Sequence, residues 1–461
     1  MHVLLVQPRP RDGLGFKSVI RAEPLGLEIV AGALTAHQVK IVDLIDGRLP
    51  VNVIQEFAPR AVGISCSFTV DTYRVVELAR AFKQINPQLF VFVGGHHASL
   101  SPEDFFDPAI DAVVVGEGET TAPELLAALE GGEELSGVQG LVLNRPEGQF
   151  FTGFRPLLAN LDEVPFPRRS LVKDYRERYF LGFRRPLITV ETSRGCPFRC
   201  NFCSVWRFQR GKFRAMSPER VVEELAQLPP GDVLFTDDNF LADVNRAARI
   251  AALIKKERLP ARRYIIQARS DTIVSHPEIV AQWKEVGLNQ VFIGFEKIDQ
   301  EGLEQVDKRN NVENNERALK ILQKMKIGVY ASFIVDPQFT RLDFQKLREY
   351  IRRLKLNQPY FSVLTPLPGT ELFDQVKERI TSLNYDLFDL LHAILPTKLP
   401  LSEFYRELAG LYRWAYGRPL YLLSTAGWVM KCLLRGQLSL EHLRRLWYGA
   451  TLTTRPKAYL Q

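Results

Sequence analysis

Three of the chain's five cysteines, Cys196, Cys200 and Cys203, stand at C-x3-C-x2-C spacing in the stretch ETSRGCPFRCNFCSVW. Thiols so close together are ligands for soft metals, and their number decides which metal. A structural zinc site is closed by four ligands and usually built from two C-x2-C half-sites. Here the other two cysteines, Cys66 and Cys432, lie far away and alone. A disulfide framework fits poorly too, since five cysteines in 461 residues are sparse and odd in number. What remains is an iron–sulfur cluster in which three irons are tied by thiolates and one is left open to a substrate or cofactor. Cys66 reads as a small buried hydrophobe.

Phe202, directly before the third cysteine, completes C-x3-C-x-aromatic-C, and at this point the sequence resembles the radical S-adenosylmethionine (radical SAM) superfamily. The resemblance implies a [4Fe-4S] cluster whose open iron chelates the amino and carboxylate groups of SAM, with Phe202 against the adenine. It also implies an electron donor such as a flavodoxin or ferredoxin.

Elements that position such a loop follow from the apolar pattern. From about Pro186, the runs LITVET, DVLFTDDNF, YIIQARSD, VFIGFE, VYASFIVD and YFSVLTPLPGT alternate with helical segments. Six strand–helix units predict a partial (β/α)6 barrel, whose site lies at the strand carboxyl ends. Thr236, Asp237 and Asp238 end the second strand, Gln267, Arg269 and Asp271 the third, and Glu296 the fourth. By resemblance, Asp237 or Asp238 meets the methionyl amine of SAM and Arg269 its carboxylate or ribose, with Gln267 and Glu296 as further contacts. Ser217 and Pro218 read as the N-cap and first residue of a scaffold helix.

Upstream, VLLVQ, VKIVD, AVGIS, FVFVGG and AVVVGEGE are strands, and TYRVVELARAFKQI places Val75, Leu78, Ala79 and Phe82 at helical spacing. The alternation predicts an α/β fold with a doubly wound parallel sheet that binds its ligand at the carboxyl ends, the switch point. Those ends offer Ser65, Ser67 and Thr69, then Gly94, Gly95 and His96, then Gly116, Glu117 and Gly118. With the cysteine motif downstream, this half resembles the cobalamin-binding domain of one class of radical SAM enzymes, and EPLGLEIVAGAL and VVVGEGE look like its recurrent segments. In better-known cobalamin domains a D-x-H-x-x-G histidine coordinates cobalt. The loop QPRPRDGLGF has no histidine, which implies cobalamin with its own base displaced and no imidazole below the metal. His96 is expected as a corrin contact, and at least one of His96 and His97 as a plain turn hydrogen bond.

The expected division is 1–150 cobalamin-binding, 151–185 linker, 186–380 radical SAM and 381–461 helical. In the last part Asp389 and His392 would share a helical face. From Arg413 onward Arg413, Arg418, Lys431, Arg435, Arg444, Arg445, Arg455 and Lys457 face one acid, Glu441. PLYLLSTAGWVM among them is too short to span a bilayer and resembles an interfacial segment, whose alternative is a cap packed on the barrel. The net charge of +7 does not argue for nucleic acid. MHVLLVQPRP is too short and proline-broken for a secretory leader, so a reducing cytoplasm is expected.

Together these features imply a cobalamin-dependent radical SAM methyltransferase acting on an unactivated carbon of a small-molecule or lipid substrate. RAEPLGLEIVAGAL and FIVDPQF resemble the hopanoid C-3 methylase branch of the family. The alternatives are a radical cyclase or oxidoreductase that transfers no methyl group, and a non-catalytic cobalamin or cluster sensor.

Overall fold

The structure, a computed structural model, describes residues 1–8, 19–45, 47, 51–417, 426–427, 429–430, 433 and 440–460. Most of the histidine-free loop, most of the apolar stretch 419–430 and Cys432 lie outside these residues.

Strands β1 (His2–Gln7), β2 (Ile20–Arg21), β3 (Gln38–Asp43), β4 (Ala61–Ser65), β5 (Phe90–Gly94), β6 (Ala112–Val114), β7 (Leu141–Arg145) and β8 (Gly148–Phe151) come first. All but β2 form one sheet, ordered β3-β1-β4-β5-β6-β7-β8. It is parallel through β6 and ends in the antiparallel β7–β8 hairpin, which the apolar pattern did not announce. Strand order reverses at β1 and β4, so a crevice opens beyond their carboxyl ends. The helix Thr72–Ile85 buries Val75, Leu78, Ala79 and Phe82, the four residues that helical spacing puts on one face.

After the short strand β9 (Phe180–Leu181), which pairs with β2, come β10 (Leu187–Val190), β11 (Ser193–Arg194), β12 (Arg214–Ala215), β13 (Asp232–Phe235), β14 (Tyr264–Gln267), β15 (Leu288–Glu296), β16 (Gly328–Val335) and β17 (Gln358–Val363). Six of these, β10-β13-β14-β15-β16-β17, form a wholly parallel sheet in chain order that does not close on itself, the partial barrel expected. Its core holds Trp283 against Phe235, Phe240 and Tyr264. The indole N–H donates to the Ala247 carbonyl at 2.9 Å, so this large side chain is buried with its polar atom satisfied. Ser217 caps the helix Pro218–Gln227 by accepting from the Arg220 N–H.

The stretch between the sheets is anchored in both cores. Leu161 and Val164 enter the barrel core, while Val172 and Tyr179 enter that of the first sheet. Beyond Tyr385 the expected α-helices begin only at Leu401–Tyr416, because Pro396, Pro400 and a left-handed Leu390 (φ 65°) interrupt the segment before it. Asp389 and His392 therefore share a tight turn and no helix. There Asp389 Oδ1 accepts both the His392 N–H and its Nδ1 at 3.0 Å. The hydroxyls of Tyr412 and Tyr416 donate to carbonyls of β17, which seats the helix Leu401–Tyr416 on the barrel edge. Among the described residues no helix is long and apolar enough to cross a membrane.

Candidate active site

The cysteine loop is closed at its base by β11 and β12, which pair Ser193 with Ala215 and Arg194 with Arg214. Gly195 has φ +90°, and a Cβ there would stand 2.1 Å from the Lys212 carbonyl oxygen, so no other residue fits this turn. Within the loop the Cys203 N–H and the Trp206 indole both donate to the Cys200 carbonyl, at 3.1 and 3.3 Å. Burial raises all three thiols above their ordinary range, Cys203 to about 12. Thiolates form here when a metal centre replaces the protons. Among the described residues no three His, Cys, Asp or Glu side chains converge on one point as a single ion would need.

Asp237 and Asp238 divide their tasks. Asp237 is buried and accepts from the Thr192 hydroxyl at 2.8 Å and from that of Ser193, so one oxygen holds the start of the cysteine loop. Among the described residues its other oxygen has no hydrogen-bond partner, nor has either amide atom of the buried Asn239. Burial pushes Asp237 up to about 6, with the two hydroxyls and Arg246 opposing it. Asp238 accepts the Gly195 N–H at 3.2 Å and opens onto the cleft. Solvent reaches it, but the surrounding protein displaces most of its water and pushes it up to about 7.

Arg269 is largely spent on protein. Its Nε and Nη2 bond Asp271, Nη1 and Nη2 bond the carbonyls of Lys308 and Arg309, and its face lies 3.5 Å from the Phe198 ring centroid. Of five N–H donors, one on Nη1 is left over. Gln267 fixes the next turn through its carbonyl, which accepts from Phe240. Glu296 ends β15 with φ 61°, folds back over Gly294 and pairs with Lys308 at 2.9 Å. Burial works against the Lys308 ammonium, but Glu296 and Cys200 outweigh it and hold its pKa above the ordinary value. Phe202 is half-buried beside Cys203. Lys308 escaped the sequence reading because it stands on an irregular turn, outside any strand end.

The crevice of the first sheet opens onto this loop. Gly95, at φ +122°, lets the chain pass the Cys66 carbonyl, which a Cβ would meet at 2.6 Å. Gly116, at φ +93°, faces space with no heavy atom within 4 Å of a Cβ, and its N–H is held by Ser99 at 2.9 Å. Gly118 by contrast packs on Val30, with a Cβ at 3.1 Å. Ser67 is exposed, Ser65 half-buried, Gly94 lies against Val114, and Thr69 is turned inward to His97 Nδ1 at 3.2 Å. His97 is the structural member of the histidine pair, buried between Thr69 and Asp104. His96 Nε2 lies 2.8 Å from Ser204 Oγ, next to Cys203, with its ring against Phe208. Burial and His97 lower it to about 4, so it is neutral at physiological pH.

Glu117 is engaged by protein donors. It accepts from Arg194 at 2.6 Å, Arg214 at 2.9 Å and the Leu158 N–H at 2.7 Å. Burial opposes its ionisation, but these donors prevail and hold it below its ordinary range. Arg194 also meets Glu119 and Glu191. A second buried network joins the halves: Arg169 bonds Glu23, Glu224 and the Thr189 carbonyl, and Glu23 accepts the Thr189 N–H.

Known proteins resolve what this pairing of folds is. Residues 190–378 match the radical SAM superfamily and residues 13–126 the B12 binding domain. The chain is 35% identical to the hopanoid C-3 methylase of Methylococcus capsulatus, over 97% of this chain and 86% of that one. It is 32% identical to an uncharacterized methyltransferase of Pyrococcus horikoshii, over 95% and 98% of the two. In fold it resembles the cobalamin-dependent S-adenosylmethionine radical enzyme OxsB, solved with aqua-cobalamin and S-adenosylmethionine, at TM-score 0.72 and 17% identity over 98% of this chain and 71% of that one. The chain belongs to the radical SAM superfamily, among its members with a B12-binding domain. Its cofactors are a [4Fe-4S] cluster, S-adenosylmethionine and cobalamin.

Proposed function

We propose that this enzyme is a cobalamin-dependent radical SAM methyltransferase that methylates an unactivated carbon of an apolar, polycyclic lipid. The observation that carries the reading is the direct junction of the two strand-end sites, His96 to Ser204 and Glu117 to Arg194, as a methyl carrier and a radical source acting on one substrate would require. The lipid substrate is supported by the 35% identity to a hopanoid methylase.

Bound together, the cofactors supply one-electron cleavage of SAM, hydrogen abstraction and a methyl group. The chain's own side chains supply placement. Residues 186–380 hold the cluster through Cys196, Cys200 and Cys203, with Lys308 as the cation beside Cys200. Asp238 is the carboxylate placed for the methionyl ammonium, Asn239 offers an unmet amide beside it, and Arg269 keeps one N–H for the carboxylate. Phe202 is the surface for the adenine. Residues 1–150 hold cobalamin over Gly94, Gly95 and Gly116, with Ser65, Ser67 and His96 at the rim. Because His96 Nε2 is turned to Ser204 Oγ at 2.8 Å, no imidazole is assigned to the metal. The enzyme works in a reducing cytoplasm and meets lipid at its basic C-terminal segment.

Anaerobic reconstitution with deuterated-methyl SAM and a lipid extract tests this, the expected result being a lipid heavier by one labelled methyl. Formation of 5′-deoxyadenosine without a labelled product would favour a cyclase or oxidoreductase. No 5′-deoxyadenosine at all would leave only a sensor.

A further inference from the structure

Between Glu191 and Glu219 the chain carries six cations and no acid. Two of them, Arg194 and Arg214, are buried against Glu117. Arg207 pairs with Asp374 at 2.6 Å. The other three, Arg199, Arg210 and Lys212, are exposed, and among the described residues no carboxylate stands within ion-pair distance of any of them. They belong to the outer side of the cysteine loop. Trp206, whose indole N–H donates to the Cys200 carbonyl, has the Arg199 guanidinium 5.7 Å and that of Arg207 5.4 Å from its ring. Arg210 lies 4.7 Å over Phe154 and donates to the Arg155 carbonyl, which joins the patch to the β7–β8 hairpin. There Phe154 is 63% exposed and Phe151 40%. Unpaired cations around solvent-exposed aromatic rings are the composition of a recognition surface for an acidic protein.

We propose that this patch is the docking surface for a small acidic one-electron carrier protein. The inference rests on the reading above that the centre held by the three cysteines must be reduced. The carrier gives up one electron, the centre accepts it, and no bond forms or breaks. The position fits the task because Arg199 adjoins Cys200 in the chain and lies over Trp206, whose indole N–H donates to the Cys200 carbonyl. Three unpaired cations within one loop raise the local attraction for an acidic partner at that loop.

The test uses the reconstituted enzyme with reduced flavodoxin as the probe and the variant Arg199→Glu/Arg210→Glu/Lys212→Glu. Half-saturating flavodoxin for SAM cleavage should rise about tenfold or more, because rim charges act on association, while the rate with dithionite and the iron content stay as in the wild type. Direct titration of oxidised flavodoxin into the enzyme should lose affinity in parallel, a readout independent of turnover. Should the triple variant fail to fold, wild-type binding must still weaken between about 0.05 and about 0.3 M salt. Flavodoxin binding that ignores both salt and charge reversal would overturn the proposal. So would anionic vesicles that bind the wild type and not the variant while flavodoxin binds both. Absence of SAM cleavage with dithionite as well would strike the radical SAM reading and leave the titration to decide the surface.

Discussion

Arg194 Nη1 stands 2.6 Å from Glu117 Oε1 and 2.5 Å from Glu119 Oε1, so the loop after β6 grips the chain two residues before the first motif cysteine. The guanidinium is buried, and so are both carboxylates. Removing one partner of such a group leaves uncompensated charge in a poor solvent, at a cost of about 3–5 kcal/mol. Arg194→Gln should lower the melting temperature of the apo-protein and the iron retained after reconstitution, read by calorimetry and iron assay. Arg194→Lys should recover only part, since one ammonium cannot bridge three carboxylates as a planar fork does.

Cys196→Ala, Cys200→Ala and Cys203→Ala should each abolish the cluster absorption and SAM cleavage. Cys66→Ala should keep the full iron content, because the Cys66 side chain is buried in the first sheet's core. An unchanged cluster spectrum in any motif variant would disprove the ligand assignment.

The two neighbouring aspartates should separate by assay. Asp237→Asn disturbs the Thr192 and Ser193 hydroxyls and is expected to lower thermal stability by about 1–3 kcal/mol. Asp238→Asn leaves these contacts in place. It should weaken SAM binding about tenfold with little change in melting, measured by equilibrium dialysis, since on the proposed reading it removes the charge that meets the SAM ammonium.

Glu28 gives stability a pH dependence. Burial, with Glu23 beside it, raises its carboxyl from 4.5 to about 8. Between those values the folded chain holds a proton that the unfolded chain has released, so stability falls as pH rises across that window, by at most about 1.4 kcal/mol per pH unit. Glu28→Gln should flatten the slope and melt higher than the wild type near pH 8. An unchanged slope would show that Glu28 ionises normally.

Electron paramagnetic resonance of the cob(II)alamin form should show no nitrogen splitting from a lower ligand, because His96 Nε2 is engaged by Ser204. Clear splitting that disappears in His96→Gln would reverse the assignment.

What the sequence disclosed and what it withheld follow from range. The cysteine spacing, the strand runs and the helical face of Val75, Leu78, Ala79 and Phe82 are local patterns, and all reappear in the fold. The strand-end residues were also legible, since a parallel sheet presents its carboxyl ends by construction. Their roles were less so. Glu117 sits in a glycine-rich strand end that suggests a ligand, yet its partners Arg194 and Arg214 come from a loop some eighty residues on, and no local signal marks such a pairing. The commitment of Arg269 to Asp271 and to the carbonyls of Lys308 and Arg309 was hidden in the same way. The interrupted helix before Leu401 had a local signal in Pro396 and Pro400, which the apolar spacing outweighed in the reading.

The Arg169 network has a consequence for how the chain acquires its shape during synthesis. Glu23 stands just before the helix Leu25–Ala33 and Glu28 within it, but the cation beside both, Arg169, and the Thr189 N–H that Glu23 accepts are made much later. Until those residues leave the ribosome, one acid before that helix and one on its buried face stay in water and keep the face from seating. The N-terminal half is therefore not an autonomous unit that matures while the barrel is still being translated. Severed from residues 151–224, it should emerge as a loosely packed chain, and the two halves should be recovered in folded form when they are synthesised together.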